Sequence, residues 1–163
     1  MVWQRIVKWG AAGLAVVATA GLVACNPRPA DLRPPDPATL RVATHNVHYI
    51  ILSQADGAWS RGDWDRRKGA LDGAFKAMNA DIVAFQEMES FGRGMDKNIN
   101  LARDWLLDQN PAYAAGASGD ANVFPSTQPI FYRRDRVELL DQGWFFFSDT
   151  PDVIYARTFN GSW

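Results

Sequence analysis

The chain has 163 residues, 47% of them hydrophobic, so it is long and apolar enough to fold around one core. Its 17 Lys and Arg and 18 Asp and Glu give a formal net charge of −1, which excludes a strongly basic nucleic-acid binder. A nuclease stays open, because a metal ion can supply local positive charge. The single cysteine excludes an intramolecular disulfide.

Residues 1–24 have the pattern of a secretory signal peptide. Arg5 and Lys8 form a positive n-region, and residues 9–23 are apolar and uncharged. This apolar run is shorter than the about 20 residues that a transmembrane helix needs. It ends in Leu22-Val23-Ala24-Cys25, which resembles a bacterial lipobox. The resemblance implies cleavage before Cys25 and lipidation of its thiol; an ordinary cleaved signal and an uncleaved anchor are the alternatives.

Residues 25–39 are predicted to be the lipidated Cys25 followed by a stiff tether. Five of the nine prolines of the chain lie between residues 26 and 39, which favours an extended polyproline conformation. The tether would separate a folded domain, residues 40–163, from a membrane. Asn26 is not the Asp that commonly retains lipoproteins in an inner membrane. We therefore expect an exported, lipid-anchored protein at the outer membrane or the periplasmic face.

The first half of the folded domain predicts a strand, a helix and a second strand. Leu40–Val47 is rich in small and β-branched residues, and Asp81–Gln86 contains a continuous apolar run typical of a buried strand. Between them, Asp63 is expected to cap a helix that ends at Asn79. The expected apolar face of this helix consists of Trp64, Leu71, Ala74, Phe75 and Met78. This order of elements predicts a crossover between parallel strands.

The second half predicts a helix, a loop and a β-hairpin. Residues 99–108 have a helical pattern that Asn110-Pro111 ends. Residues 92–98, before this helix, predict a loop. Residues 114–127, after it, are rich in Gly, Ala, Ser and Asn and predict a surface loop. Pro129–Tyr132 and Val137–Leu140 predict the two strands of a hairpin around a charged turn. Residues 143–148 predict a further strand.

Two clusters of basic residues and one cluster of aromatic residues are predicted to have structural roles. Arg66-Arg67-Lys68 is expected to be a solvated helix face, and the turn Arg133-Arg134-Asp135-Arg136 is also expected to face solvent. The cluster Trp144-Phe145-Phe146-Phe147 is expected in the core rather than on a membrane-dipping loop.

Two polar residues lie at the carboxyl ends of the predicted strands, Asn46 on the first and Glu87 on the second. Open α/β sheets bind ligands beyond the carboxyl ends of their strands. An amide oxygen and a carboxylate at that edge are ligands for one hard divalent cation. The alternatives are an Asn that starts a turn and an ordinary loop Glu. His45 and His48 are weaker candidates, because two His without the spacing of a zinc site are more often structural.

Taken together, these segments resemble the endonuclease/exonuclease/phosphatase superfamily of metal-dependent phosphodiesterases. The strongest match is the motif Asp-Ile-(apolar)-(small)-(apolar)-Gln-Glu at residues 81–87. The other matching segments are Thr44–His48, Trp64–Arg67, Pro129–Asp135, Leu139–Gly143 and Phe147–Pro151. The resemblance implies an α/β fold: the N-terminal part of a four-layer α/β/β/α sandwich with mixed sheets, incomplete in this chain.

The resemblance also implies an activity and roles for two residues. The activity is hydrolysis of a phosphate ester with one or two Mg²⁺ ions, or with Mn²⁺ or Ca²⁺. Glu87 is implied to be a metal ligand. Asn46 is implied to be a catalytic residue that holds the metal or the catalytic carboxylate. The substrate, whether nucleic acid, a phospholipid headgroup or another phosphate ester, stays open, and no protein partner is implied.

The remaining machinery of this superfamily is expected beyond Trp163. It comprises a His that contacts phosphate, an Asp-x-Asn motif with the base and a closing Asp-His pair, and no His follows His48 in this chain. We therefore expect a domain that is truncated on its C-terminal side, inactive alone, and bare on one sheet face. The alternatives are a non-catalytic surface lipoprotein that uses the sandwich for binding, and a pseudogene remnant. One departure, Tyr49-Ile50-Ile51 where many relatives have Gly, changes the first active-site loop.

Overall fold

The structure is a computed structural model that describes residues 36–91, 99–120, 122–123, 128–154 and 156. The predicted signal peptide, Cys25, most of the tether and the expected loop at 92–98 lie outside these residues. Within the described part, no helix combines the length and the apolar character needed to cross a membrane.

A mixed four-stranded sheet is the main layer of the described residues. Its strand order is β1-β3-β6-β5, and β2 and β4 form a separate short parallel pair. Strands β1 and β3 are parallel neighbours, whereas β6 runs antiparallel to both β3 and β5. The bounds are β1 Val42–Asn46, β2 Ile50–Ile51, α1 Arg61–Met78, β3 Ile82–Gln86, β4 Ser90–Phe91, α2 Leu101–Gln109, β5 Tyr113–Gly116 and β6 Ile130–Arg133. The predicted crossover and the mixed α/β class are confirmed.

Helix α1 begins three residues before the position expected from the sequence. Its N-cap is Ser60, whose Oγ accepts a hydrogen bond from the backbone N–H of Asp63 at 3.0 Å. The prediction that Asp63 caps the helix is therefore wrong. Ser60, three residues earlier, is the cap, and Asp63 lies inside the first turn, where its own N–H is one of those that the cap satisfies. The predicted end is confirmed: Asn79 takes a left-handed conformation, φ 43° and ψ 45°, that stops the helix.

The core lies between the two helices and the inner face of the main sheet. Phe75 from α1 meets Phe131 from β6 edge-on at 5.9 Å, and Phe85 from β3 meets Phe131 at 4.8 Å. All three rings are at most 2% exposed. Burial of each such side chain stabilises the fold by roughly 1.5–3 kcal/mol. Of the expected helix face, Trp64 and Leu71 join this core, but Ala74 is exposed and Met78 half-buried.

The predicted hairpin is wrong, because β6 pairs with a segment that the sequence assigned to a loop. That partner is β5, with Ala115 opposite Phe131. Tyr113 anchors it: the ring packs edge-on to Phe75 at 4.8 Å, and the hydroxyl donates to the carbonyl of Ala80 at 2.6 Å. Tertiary contacts thus override the weak strand propensity of Ala and Gly.

The chain after β6 turns instead of returning as a strand. The N–H of Val137 bonds back to the carbonyl of Arg133, and residues 137–148 contain no strand. The aromatic cluster was expected in the core, but Phe145 is 65% and Phe147 83% exposed. These two rings pack edge-on against each other at 5.2 Å, which shields only part of each.

The charged turn after β6 is more than a solvated loop. Arg136 Nε lies 3.3 Å from Asp81 Oδ1, an ion pair without the alignment of a hydrogen bond. The carboxylate of Asp81 is fully buried, and its other oxygen accepts from the backbone N–H of Arg41 at 2.8 Å. A buried carboxylate requires such partners, so the turn fixes the entry into both β1 and β3.

The outer face of the main sheet is bare in the described residues. Alternate residues of β1 are exposed, with Val42 at 65%, and Ile130 of β6 is 39% exposed. In the sheet register, Ile130 lies opposite Ala84 of β3 on the same face. In a sandwich, two sheets pack together through apolar faces of this kind. The outer face of the main sheet is therefore the face that would pack against a second sheet.

We expect the double substitution Val42→Thr with Ile130→Thr to reduce self-association of the chain. Threonine keeps the β-branched shape and removes apolar surface, so binding of an apolar fluorescent dye should fall. Dye fluorescence and analytical ultracentrifugation measure the two effects. The control is Val123→Thr, which changes a 71% exposed valine outside every strand. An equal effect of the control would show that the outer face is not the adhesive surface.

Candidate functional site

The parallel pairing of β1 and β3 brings Asn46 and Glu87 together. Asn46 lies opposite Gln86 in the sheet register, so the residue after Gln86 starts at the same edge. The side-chain Nδ2 of Asn46 donates a hydrogen bond to Oε1 of Glu87 at 2.9 Å. Next to this contact, Gln86 Nε2 donates to Thr44 Oγ1 at 2.7 Å. The carboxyl edge of the two strands is therefore a row of polar contacts.

The amide of Asn46 has its direction fixed by two hydrogen bonds. While Nδ2 faces the carboxylate, Oδ1 accepts from the backbone N–H of His48 at 3.0 Å. A flipped amide would set its oxygen against the oxygen of Glu87 and its NH₂ against an N–H. In this arrangement Asn46 orients Glu87 and closes the turn after β1.

The backbone of Glu87 is left-handed, with φ 56°. This conformation costs a residue with a Cβ on the order of 1–2 kcal/mol. The turn places Glu87 outside the regular alternation of β3, whose last residue is Gln86. Strained residues of this kind concentrate at functional sites, so the backbone supports a functional role for Glu87.

A second carboxylate, Glu89, lies close to Glu87 and was missed in the sequence analysis. Burial raises the pKa of Glu89 above its ordinary value, and the charge of Glu87 raises it further. The carbonyl of Glu89 accepts from the N–H of Ile50 at 3.0 Å, which ties it to β2. The signal was available as Glu87-Met88-Glu89, two acids two residues apart after a buried strand. A cation would relieve their mutual repulsion.

The oxygen set at this edge fits a hard cation. The carboxylate of Glu87 offers oxygen ligands, which suit Mg²⁺, Mn²⁺ or Ca²⁺ rather than zinc. The Asn46 amide is engaged at both ends, with Glu87 and with the N–H of His48, so here it orients the carboxylate. Among the described residues no three His, Cys, Asp or Glu side chains group closely enough to hold a metal by themselves. Mg²⁺ commonly takes one or two carboxylates and completes its shell with water and phosphate oxygens. The residues present thus fit part of a site for a hard divalent cation.

The two histidines differ in position. His45 alternates with Asn46 along β1, so it faces the core side, where its ring lies 6.3 Å from Phe85. Its Nε2 is buried without a hydrogen-bond partner in the described residues, and burial lowers the pKa of His45. His48 is exposed beside Asn46. The structure therefore brings His48 to the site and directs His45 away from it.

Arg67 fixes the loop after β1 and is not part of a solvated helix face. Its guanidinium donates to the carbonyls of Val47 and His48, each at 2.5 Å, and Nε donates to the carboxylate of Asp63 at 3.1 Å. Burial lowers the pKa of Arg67, whereas Asp63 raises it. Arg66, by contrast, is mostly exposed and reaches only Asp63. The expectation of a solvated basic group is thus wrong for Arg67.

The Asp-x-Asn pattern by itself does not locate a catalytic base in this chain. It occurs three times after Glu87, at residues 96–98, 108–110 and 120–122, and the first lies outside the described residues. Asn110 donates to Leu106 and Asp72 at the end of α2. Asp120 accepts from the backbone N–H of Asn122 in a local turn at 2.9 Å. Both described triplets therefore serve local structure.

Known proteins match this chain in structure but not in sequence. No protein-family model and no curated protein matches the sequence significantly. One similar structure is an endonuclease/exonuclease/phosphatase from Bacteroides vulgatus, with TM-score 0.54, 24% identity and 76% of this chain covered. A mannosyl-6-phosphatase from Bacteroides thetaiotaomicron has TM-score 0.55 and 24% identity over 75% of this chain. A family protein from the same species has TM-score 0.54 and 24% identity over 74%.

The likeness shows that the chain has the fold of endonuclease/exonuclease/phosphatase proteins, and it confirms the fold expected from the sequence. This chain spans only 42%, 41% and 40% of the three matching chains. It therefore covers part of the sandwich, in agreement with the mixed, open sheet of the described residues.

We expect Arg67→Lys to destabilise the fold by roughly 1.5–3 kcal/mol, because lysine keeps the charge but cannot bridge two carbonyls and a carboxylate. Urea denaturation followed by circular dichroism measures the free energy of unfolding. The matched control is Arg66→Lys on the same helix, for which we expect a change within about 0.5 kcal/mol. Equal effects of the two substitutions would contradict the assigned role of Arg67.

Proposed function

We propose that this chain carries the first part of the active site of a metal-dependent phosphoric ester hydrolase. The observation that carries the proposal is the Asn46–Glu87 hydrogen bond at the carboxyl edge of two parallel strands. That edge is where open α/β sheets bind ligands. The fold shared with endonuclease/exonuclease/phosphatase proteins supports the same chemistry.

The proposed roles follow from the contacts of each side chain. A bound Mg²⁺, or a similar cation, would polarise the phosphoryl oxygen and stabilise the leaving oxygen. Glu87 would hold that cation through its carboxylate, and Asn46 keeps the carboxylate in one orientation. No described residue is placed as the general base, so the base is proposed to come from the part of the sandwich that this chain does not span.

The substrate class of the proposed enzyme is a phosphate ester. One structural neighbour is a mannosyl-6-phosphatase, which makes a phosphomonoester on a sugar one candidate. Nucleic acid and phospholipid headgroups are further candidates. The near-zero net charge gives no preference for a polyanion such as nucleic acid.

We expect the protein, expressed from its complete reading frame, to hydrolyse p-nitrophenyl phosphate or bis(p-nitrophenyl) phosphate in the presence of Mg²⁺. EDTA should abolish the activity and excess Mg²⁺ should restore it. Asn46→Ala should lower kcat/KM about 10- to 100-fold, as loss of a residue that orients a ligand does, and Glu87→Gln should lower it further. Absorbance of released nitrophenolate measures the rates, and the preferred ester separates phosphatase from phosphodiesterase.

The matched control is Glu138→Gln, because Glu138 is exposed and lies outside every element. A second measurement uses the 163-residue chain itself: Mn²⁺ should broaden the amide NMR signals near Glu87, and Glu87→Gln should remove the effect. Hydrolysis that survives both EDTA and Glu87→Gln would overturn the proposal. If neither hydrolysis nor Mn²⁺ binding occurs, the protein is a non-catalytic surface lipoprotein or the remnant of a hydrolase gene.

We further propose that the protein is exported and anchored through a lipid on Cys25. The support is the apolar segment that ends in Leu22-Val23-Ala24-Cys25 and the proline-rich tether after it. More than one acyl chain gives stable membrane attachment.

We expect Cys25→Ser to abolish incorporation of labelled palmitate and to move the protein from the detergent phase to the aqueous phase. The reason is that serine lacks the thiol that receives the lipid. Phase partition in Triton X-114 and gel fluorography measure these outcomes in a Gram-negative host. The neighbouring change Asn26→Gln is the control, since it leaves the thiol in place. Palmitate labelling that persists in Cys25→Ser would refute the anchor.

A further inference from the structure

Three aromatic side chains cluster on the segments that follow β1 and precede α1. They are His48 and Tyr49, which follow β1, and Trp59, which precedes the N-cap of α1. The ring centroids are 5.8 Å apart for His48 and Trp59, 5.9 Å for Tyr49 and Trp59, and 6.0 Å for His48 and Tyr49. The planes differ by 24°, 5° and 29°. We call these three residues the aromatic platform.

The geometry of the aromatic platform excludes a linear stack. In a linear stack, the two outer rings would be about twice as far apart as the neighbouring ones, whereas all three separations here are nearly equal. The rings therefore gather around one point with their faces close to parallel. The three rings therefore form one compact aromatic cluster.

The fold holds the aromatic platform at the surface despite a conformational cost. Trp59 is 40% exposed, although indoles are usually well buried, and His48 is exposed as well. Both residues have left-handed backbones, with φ 61° for Trp59 and 60° for His48. Left-handed geometry is unfavourable for bulky residues, on the order of 1–2 kcal/mol each. A backbone that holds these aromatic rings in solvent at a conformational cost indicates that the rings bind a ligand.

The aromatic platform is also held rigidly from both ends. Arg67 donates to the carbonyl of His48, which fixes the backbone that carries the first two rings. The N–H of Ile51 donates to the carbonyl of Trp59 at 2.6 Å, which ties the third ring to β2. Ser60, directly after Trp59, is fully buried and is the N-cap of α1. A surface that is already ordered loses little entropy when it binds a ligand.

The aromatic platform is joined to the candidate metal site through a single hydrogen bond. The backbone N–H of His48 donates to Oδ1 of Asn46, whose Nδ2 holds Glu87. The same short segment thus carries an apolar ring surface and a polar group of the site. A molecule with a flat ring and a phosphate could contact both features at once.

Resting on the proposed function, we infer that His48, Tyr49 and Trp59 form a subsite for the ring of the alcohol that the phosphate esterifies. Aromatic faces are electron-rich and stack on the C–H-bearing face of a sugar ring or on the face of a nucleobase. The aromatic platform would align the ring, while a cation held by Glu87 would attract the phosphate. Acyclic phosphate esters lack such a face and gain nothing from the aromatic platform.

The test measures binding to the 163-residue chain by NMR in the presence of Mg²⁺. The probes are glucose 6-phosphate and adenosine 5′-monophosphate as ring esters, glycerol 3-phosphate as the acyclic ester, and adenosine and methyl glucoside as rings without phosphate. We expect ring esters to bind about tenfold more tightly than glycerol 3-phosphate and to shift the indole signal of Trp59. The preferred ring ester distinguishes a sugar face from a nucleobase face.

The variant Trp59→Asn should remove this preference without changing the affinity for glycerol 3-phosphate. Asparagine tolerates the left-handed backbone, so the fold is retained. Tyr49→Leu is a second variant, and Trp144→Asn is the control at an aromatic residue outside the platform. Equal binding of ring and acyclic esters, or a preference that survives in Trp59→Asn, would overturn the subsite. If no phosphate compound binds but the plain rings bind in a Trp59-dependent way, the proposed function fails and the subsite stands.

Discussion

The parallel register of β1 and β3 is the constraint on which the site depends. Because Asn46 lies opposite Gln86, the residues that leave the two strands begin at the same edge. A slip of one residue would turn Asn46 into the core and leave His45 at the site. The buried carboxylate of Asp81 secures this register at the other end, through the N–H of Arg41 and the ion pair with Arg136. The polar edge is thus set by an anchor at the opposite end of the strands.

Helix α1 contributes to the site although none of its residues lies at the carboxyl edge of the sheet. Arg67 reaches from its second turn to the carbonyls of the loop after β1. That loop supplies the N–H that fixes the amide of Asn46 and also presents His48 and Tyr49. One guanidinium therefore couples the helix to both the candidate metal site and the aromatic platform, and its burial makes those contacts strong.

The sequence was sufficient for the parts of the fold that local pattern determines. The apolar run 82–85 and the helix ending at Asn79 were predictable, because their patterns match periods of buried strands and helices. The pairing of β5 with β6 was not, since Ala and Gly carry little strand signal and the partner lies far along the chain. Asn46 and Glu87 were found from their positions after strands. Glu89, Arg67 and the aromatic platform were missed, because their roles depend on the loop conformation and on contacts between segments distant in sequence.

The left-handed backbone of Glu87 has a consequence for the stability of the fold. At φ 56° a glycine would relieve the strain, so the fold would gain stability from losing this side chain. The same reasoning applies to Trp59 and His48, which occupy equally unfavourable conformations. At these three positions the residues that the proposed site needs differ from the residues that the backbone would favour.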